Sequence, residues 1–149
     1  VVKSNQNRIH LHTKRIDKII GKNLKNKKIT FLGVTFKPNT DDMRDSTSLK
    51  MIPYVSKKEA NVFYYDPTGE KKEFKNIRNC KFSKDIKIAC KNADLIILHT
   101  EWEEFKSLDF QKLTKNKGVK IYDLRNLYTF SDMLRKKIKY YSIGRPNAN

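Results

Sequence analysis

The sequence predicts an α/β fold built on a doubly wound parallel sheet, and three observations carry that expectation. Short apolar, β-branched runs alternate along the chain with stretches of helical character at the spacing of strand–helix–strand units. The run DLIILHT is apolar without interruption, as expected of a strand buried on both faces of a parallel sheet. At 149 residues the chain is long enough to bury one ordinary core, and its hydrophobic content of 38% suits a globular domain.

Residues 4 to 25 read as a helix whose partial apolar face is Ile9, Ile16, Ile19, Ile20 and Leu24. Lys and Arg cover its other faces, so this helix calls for a partner outside the domain. KKITFLGV follows as a buried strand. A second helix is expected from Ser46, a good N-cap, through SLKMIPYVSKK, with Pro53 imposing a kink or a late start. NVFYYDPTG reads as strand and turn, CKF as a short extended piece, and SKDIKIACKNA as a helix. After DLIILHT come short helices near EWEEFKSL and FQKLTKN, the strand VKIYDL, a helix over FSDMLRKK and a last extended piece at YYSIG. No internal repeat or low-complexity linker interrupts this order.

The net charge of +17 raises the question of a phosphate-tracking surface. Only seven of the 33 basic residues are Arg, and the Lys are scattered along the chain without interleaved aromatics. That distribution fits a solvated Lys-rich surface and no specific nucleic-acid site. No apolar stretch reaches the length of a membrane span, and no signal-peptide pattern opens the chain. Cys80 and Cys90 are too few and too far apart for a disulfide framework or a zinc site, which fits reduced thiols in the cytoplasm. His10 and His12 fall on different faces of the first helix, so no metal site is expected.

Parallel sheets place ligands beyond the carboxyl ends of their strands, and two loops there stand out. In TFKPNTDDMRDS, Pro38 stiffens the corner, Asn39, Thr40 and Asp41 favour turns, and Asp42 and Asp45 stand ready to hold Arg44. Lys37 offers a mobile point charge and Arg44 a planar fork, which suits two different anionic groups. The alternative is a capped turn with solvated charges. In YDLRNLY, Arg125 follows a strand end in the same way, with pairing to Asp123 as the bland alternative. His99 reads as a satisfied core-edge residue, and Trp102 with Phe105 as a packing patch. The five glycines form neither a GxGxxG nor a GxxxxGK loop, so the chain is not expected to hold a dinucleotide by itself.

The stretch ITFLGVTFKPNTDDMRDSTSLKMIPYV, followed by FYYDP, ADLIILHTEWEEFKSLDF, IYDLRNLY and YYSIGRP, resembles the UDP-binding C-terminal domain of UDP-glucose 6-dehydrogenases over essentially the whole chain. The resemblance implies a Rossmann-like fold with residues 1–25 as the end of a long interdomain helix, 26–146 as a UDP-sugar-binding domain and 147–149 as a tail. It also implies an NAD-dependent oxidation of UDP-glucose to UDP-glucuronate in the cytoplasm, by a homodimer joined through the interdomain helix. The family's catalytic Cys, catalytic Lys and NAD-binding glycine loop have no match here, so no catalytic residue is expected in this chain. By matching motifs, Phe36, Lys37 and Arg125 are expected on the UDP-sugar, and Arg44 on NAD. The related GDP-mannose and UDP-N-acetylmannosamine enzymes, a stand-alone basic polyanion-binding module and a purely structural dimer-supporting domain are the alternatives.

Overall fold

A computed structural model describes residues 2–21 and 23–143, with side chains from residue 7 onward. The expected tail at 147–149, and residues 144–146 of the expected domain, lie outside the described residues. A first helix, α1 (Val2–Ile20), precedes β1 (Lys28–Leu32), α2 (Ser48–Lys57) and β2 (Asn61–Tyr65). Then follow β3 (Cys80–Phe82), α3 (Ile86–Cys90), β4 (Leu95–Leu98), α4 (Phe110–Thr114), β5 (Lys120–Asp123), α5 (Phe130–Arg135) and β6 (Lys139–Ser142).

The six strands form one sheet in the order β3-β2-β1-β4-β5-β6, and every neighbouring pair is parallel. Alternation along each strand divides the side chains between two cores. Ile29, Phe31, Leu95, Ile97, Val62 and Tyr122 face α1 and α2. Leu32, Ile96, Leu98, Ile121 and Tyr140 face Cys90, Phe110 and Met133 of α3, α4 and α5. All four β4 residues are fully buried, because β4 is central and covered on both sides. The chain order reverses direction between β1 and β4. In such sheets the switch point opens a crevice beyond the carboxyl ends, and here the loops after β1, β4 and β5 meet there.

Three local expectations differ from the structure. α1 has its partner inside the domain: Ile16 and Ile19 are buried in the first core beside Met51, Ile52 and Val55. The Tyr54 hydroxyl donates to Asp17, and Lys120 Nζ donates 2.7 Å to the Ile19 carbonyl. The helix stops at Ile20 rather than near residue 25, because Gly21 takes a left-handed φ of +98° that only glycine adopts without cost. α2 starts two residues after Ser46 and runs through Pro53, with Thr47 at the cap position making no side-chain cap bond. The Ser46 hydroxyl accepts from the Ser48 amide at 3.3 Å, and the Ser46 and Ser48 hydroxyls both donate to the Val34 carbonyl at 2.6 Å.

Candidate functional site

The crevice is set by how closely the ends of β1 and β4 approach. The His99 amide donates to the Leu32 carbonyl at 3.1 Å, and the Gly33 amide donates to the Tyr65 carbonyl at 2.8 Å. Gly33 has φ +77°, and a Cβ placed on it would lie 2.6 Å from the Thr100 Cβ. The loop after β1 turns sharply with left-handed residues at Asn39 and Asp45, both at φ 63°, and the Phe36 amide closes it on the Asp42 carbonyl at 3.1 Å.

Arg125 crosses the crevice. Its Nε donates to the His99 carbonyl at 2.9 Å and one Nη to the Phe36 carbonyl at 3.3 Å. This guanidinium therefore ties the loops after β1, β4 and β5 together, and three of its five N–H groups make no hydrogen bond among the described residues. Its pairing with Asp123 is confined to the backbone: the Arg125 amide donates to Asp123 Oδ1 at 3.0 Å, whereas Oδ2 accepts from the Tyr140 hydroxyl at 2.6 Å and the Tyr128 amide at 3.1 Å. Phe36, whose carbonyl Arg125 reaches, is 41% exposed, and Lys37 Nζ lies 5.9 Å from the Phe36 ring centroid. The Arg125 fork thus meets the backbone of the segment that carries an exposed aromatic ring and a mobile cation.

Arg44 lies elsewhere. It is clamped to Asp42 through Nε and Nη, both at 3.0 Å, and lines a groove of about 610 Å³ of mixed charge, with Lys71, Lys72 and Lys75 set among Asp41, Glu70 and Glu73. Hydrogen bonds from Arg44 hold the Asp42 carboxyl below the usual carboxylate range, and Asp42 in turn raises the Arg44 pKa. Asp45, the other candidate, makes no hydrogen bond or ion pair to it among the described residues.

His99, expected as a satisfied core-edge residue, and His12, expected on a face of α1 different from that of His10, are both buried and hydrogen-bonded. His99, 1% exposed, bonds Thr47 through Nε2 at 2.9 Å and Thr100 through Nδ1 at 3.0 Å. Burial, with the Arg125 and His12 charges adding to it, lowers its pKa to about 3. His12 of α1 is buried against the Tyr122 hydroxyl at 3.0 Å, and burial together with Arg8, Arg15 and Arg125 lowers it to about 4. His10 is exposed, so the two do fall on different faces. Burial pushes the Cys80 and Cys90 thiols up to about 12, which leaves neither as a nucleophile. Phe105 is fully buried, Trp102 packs beside it, and Glu104 accepts from the Tyr65 hydroxyl at 3.0 Å.

The crevice is a poor dinucleotide cradle. In dinucleotide-binding sheets an acid at the end of the second strand takes the ribose hydroxyls. Here Asp66 occupies that place but is 2% exposed, accepting from the Val34 amide at 2.9 Å and the Thr68 amide at 2.9 Å. Among the described residues, no three metal-ligating side chains gather, and no helix is long and apolar enough to cross a membrane.

Residues 30–130 match the sequence model of the UDP-glucose/GDP-mannose dehydrogenase family, UDP binding domain. The chain is similar to a UDP-glucose 6-dehydrogenase of Rhizobium meliloti, 37% identical over 144 residues, which covers 96% of this chain and 33% of that protein. It thus spans about a third of the length of such relatives. Its fold is similar to that of a UDP-glucose dehydrogenase from Pyrobaculum islandicum, at a TM-score of 0.75 and 21% identity over 95% of this chain and 30% of that one. It also resembles the UDP-N-acetyl-mannosamine dehydrogenase Cap5O from S. aureus, at a TM-score of 0.67 and 27% identity over 91% of this chain and 30% of that one.

Proposed function

The chain belongs to the UDP-glucose/GDP-mannose dehydrogenase family as its UDP-binding domain, and on that premise we propose that it holds the sugar nucleotide of an NAD-dependent UDP-glucose 6-dehydrogenase. The observation that carries the reading is the Arg125 bond to the Phe36 carbonyl, which brings the β5 loop to the segment bearing Phe36 and Lys37 at the switch point. Arg125 presents a fork suited to a diphosphate oxygen pair, Lys37 a mobile charge, and Phe36 a ring face for a planar or sugar surface. The protein then oxidises UDP-glucose to UDP-glucuronate at the expense of two NAD. NAD supplies the hydride acceptor and is bound mainly by other parts of the protein, because neither a glycine loop nor a free ribose-binding acid is present here. Arg44, facing its own groove, reaches NAD from the side. UDP-N-acetylmannosamine is the second reading for the substrate, favoured by the likeness to Cap5O.

Three further parts of the reading rest on the surface. Residues 1–25, helical as far as Ile20, form the end of the interdomain segment, 26–146 the UDP-sugar domain and 147–149 a tail. Leu11, 52% exposed on α1, gives that helix an apolar contact for a homodimer. The dispersed Lys serve solubility in the cytoplasm rather than a nucleic-acid partner.

Calorimetric titration of the 149-residue chain with UDP and with NAD tests this. UDP binds and NAD binds more weakly. Lys37→Ala and Arg125→Ala each weaken UDP by roughly 10- to 150-fold, the loss of one charge-assisted contact. Arg44→Ala leaves UDP binding within about twofold. No UDP binding, or an Arg44→Ala loss equal to that of Lys37→Ala, overturns the reading.

A further inference from the structure

We propose that His99 is a positioning residue of the crevice, its imidazole tethering both ends of the loop that carries Phe36 and Lys37 while its carbonyl anchors Arg125. The inference rests on the reading of those three residues as the sugar-nucleotide site.

The direction of each bond follows from proton counting. The Thr100 hydroxyl donates its one proton to the Thr35 carbonyl at 2.8 Å. Towards His99 Nδ1, 3.0 Å away, it can only accept, so Nδ1 carries the ring proton. The imidazole is buried and neutral, so Nε2 presents a lone pair and accepts from the Thr47 hydroxyl at 2.9 Å. Thr47, at the cap position of α2, turns its hydroxyl to the ring and makes no side-chain cap bond. One ring thereby holds Thr35, the residue before Phe36, through Thr100, and Thr47, where the loop enters α2.

The same residue's carbonyl receives Arg125 Nε, and the Arg125 Nη reaches back to the Phe36 carbonyl. His99 is thus the common point of a closed circuit: β1 loop, β4 end, β5 loop and back. A purely packing role would need only the ring's bulk against Phe31, whose centroid is 6.4 Å away. The circuit needs a donor on one side of the ring and an acceptor on the other.

Two variants separate the two sides. His99→Asn keeps an N–H near the Nδ1 position and loses the acceptor for Thr47. His99→Gln places an amide oxygen near the Nε2 position and loses the donor to Thr100. Long-range proton–nitrogen spectra of the wild-type chain are expected to show the neutral Nδ1–H tautomer; an Nε2–H tautomer or an imidazolium at neutral pH overturns the proposal without any variant. In the ligand-free chain, His99→Gln should shift the amide resonances of Thr35, Phe36 and Lys37 and the Arg125 Nε–H, and weaken UDP about tenfold, one neutral hydrogen bond's worth. His99→Asn should leave those resonances nearly in place, hold UDP affinity within about threefold, and move Thr47 instead. If both variants fold with unmoved loop resonances and unchanged affinity, His99 only fills space. If the wild type fails to bind UDP, the sugar-nucleotide reading falls, while the loop resonances of the variants still decide whether His99 positions the loop.

Discussion

Gly33→Ala is expected to destabilise the fold by about 2–6 kcal/mol, a large part of the roughly 5–15 kcal/mol that holds a domain together. Two costs coincide at this residue. Its φ of +77° lies in the left-handed region, where a side chain adds of order 1–3 kcal/mol of strain. The new methyl would also sit 2.6 Å from the Thr100 Cβ, 3.0 Å from its hydroxyl and 3.2 Å from its backbone nitrogen. The obstacle is therefore backbone and Cβ, with no flexible tip to swing away, so the ends of β1 and β4 must part. Overpacking of this kind costs a further 1–3 kcal/mol or so. Parting those strand ends would also lengthen the Arg125 bridge between the His99 and Phe36 carbonyls, so UDP affinity should fall with stability. Urea unfolding of wild type, Gly33→Ala, Thr100→Gly and the double variant gives the test. Thr100→Gly removes the opposing Cβ, so the double variant should recover the steric part and retain the φ part. A Gly33→Ala protein as stable as wild type, or a double variant no better than the sum of the singles, would show that the close approach does not constrain the chain.

The sheet was legible because its strands are written as apolar runs. LIIL can only be buried on both sides, and its place at the centre of six parallel strands follows from that. The partner of α1 was not legible, because its apolar face is only four or five residues among many Lys. Beyond Ile16 and Ile19, what docks it is polar: Tyr54 to Asp17, Lys120 to the Ile19 carbonyl, and His12 to Tyr122, 110 residues away. No periodicity carries such pairings. The α2 start was misread for a related reason. Ser46 has the chemistry of a cap, but so does a hydroxyl that a carbonyl at a strand end can recruit, and Val34 recruits two.

The candidate site shows the same division. Lys37, Arg44 and Arg125 stand out in sequence because charges directly after buried strands need a reason. That Arg125 reaches the Phe36 carbonyl, while Arg44 turns to a groove with Thr68 and Lys71, required the fold of the loop. The alternative for Arg125, a side-chain pair with Asp123, fails because Tyr140 and Tyr128 already occupy that carboxylate. The hydroxyls of Thr35, Thr47 and Thr100 carried no signal, since threonines are common in strands and turns; only their meeting at His99 makes them informative.

Those buried histidines give the second large effect, a loss of stability in mild acid. In the fold His12 is lowered to about 4 and His99 to about 3, whereas in the unfolded chain both return to about 6.5. Below pH 6.5 the unfolded state therefore binds protons that the native state refuses, and stability rises with pH throughout the window from about 4 to 6.5. Each refused proton contributes a slope of at most about 1.4 kcal/mol per pH unit. Between pH 7 and 4.5 the pair should remove about 3–5 kcal/mol, after discounting His12 for its partial contact with solvent. The groups facing His99 are Arg125, His12, Thr47 and Thr100; those facing His12 are Arg8, Arg15, Arg125 and Tyr122. None is a carboxylate that could compensate the imidazolium. Denaturant titrations at half-unit pH steps would show the loss, and His99→Gln, which removes one titrating group, should flatten the curve by about one proton. Raising salt screens the general repulsion of a +17 chain but leaves a burial cost in place, so the pH slope should survive at high ionic strength. A stability constant to within about 1 kcal/mol from pH 7 to 4.5 would mean that both rings reach water, and with it that His99 is free to leave Thr47 and Thr100.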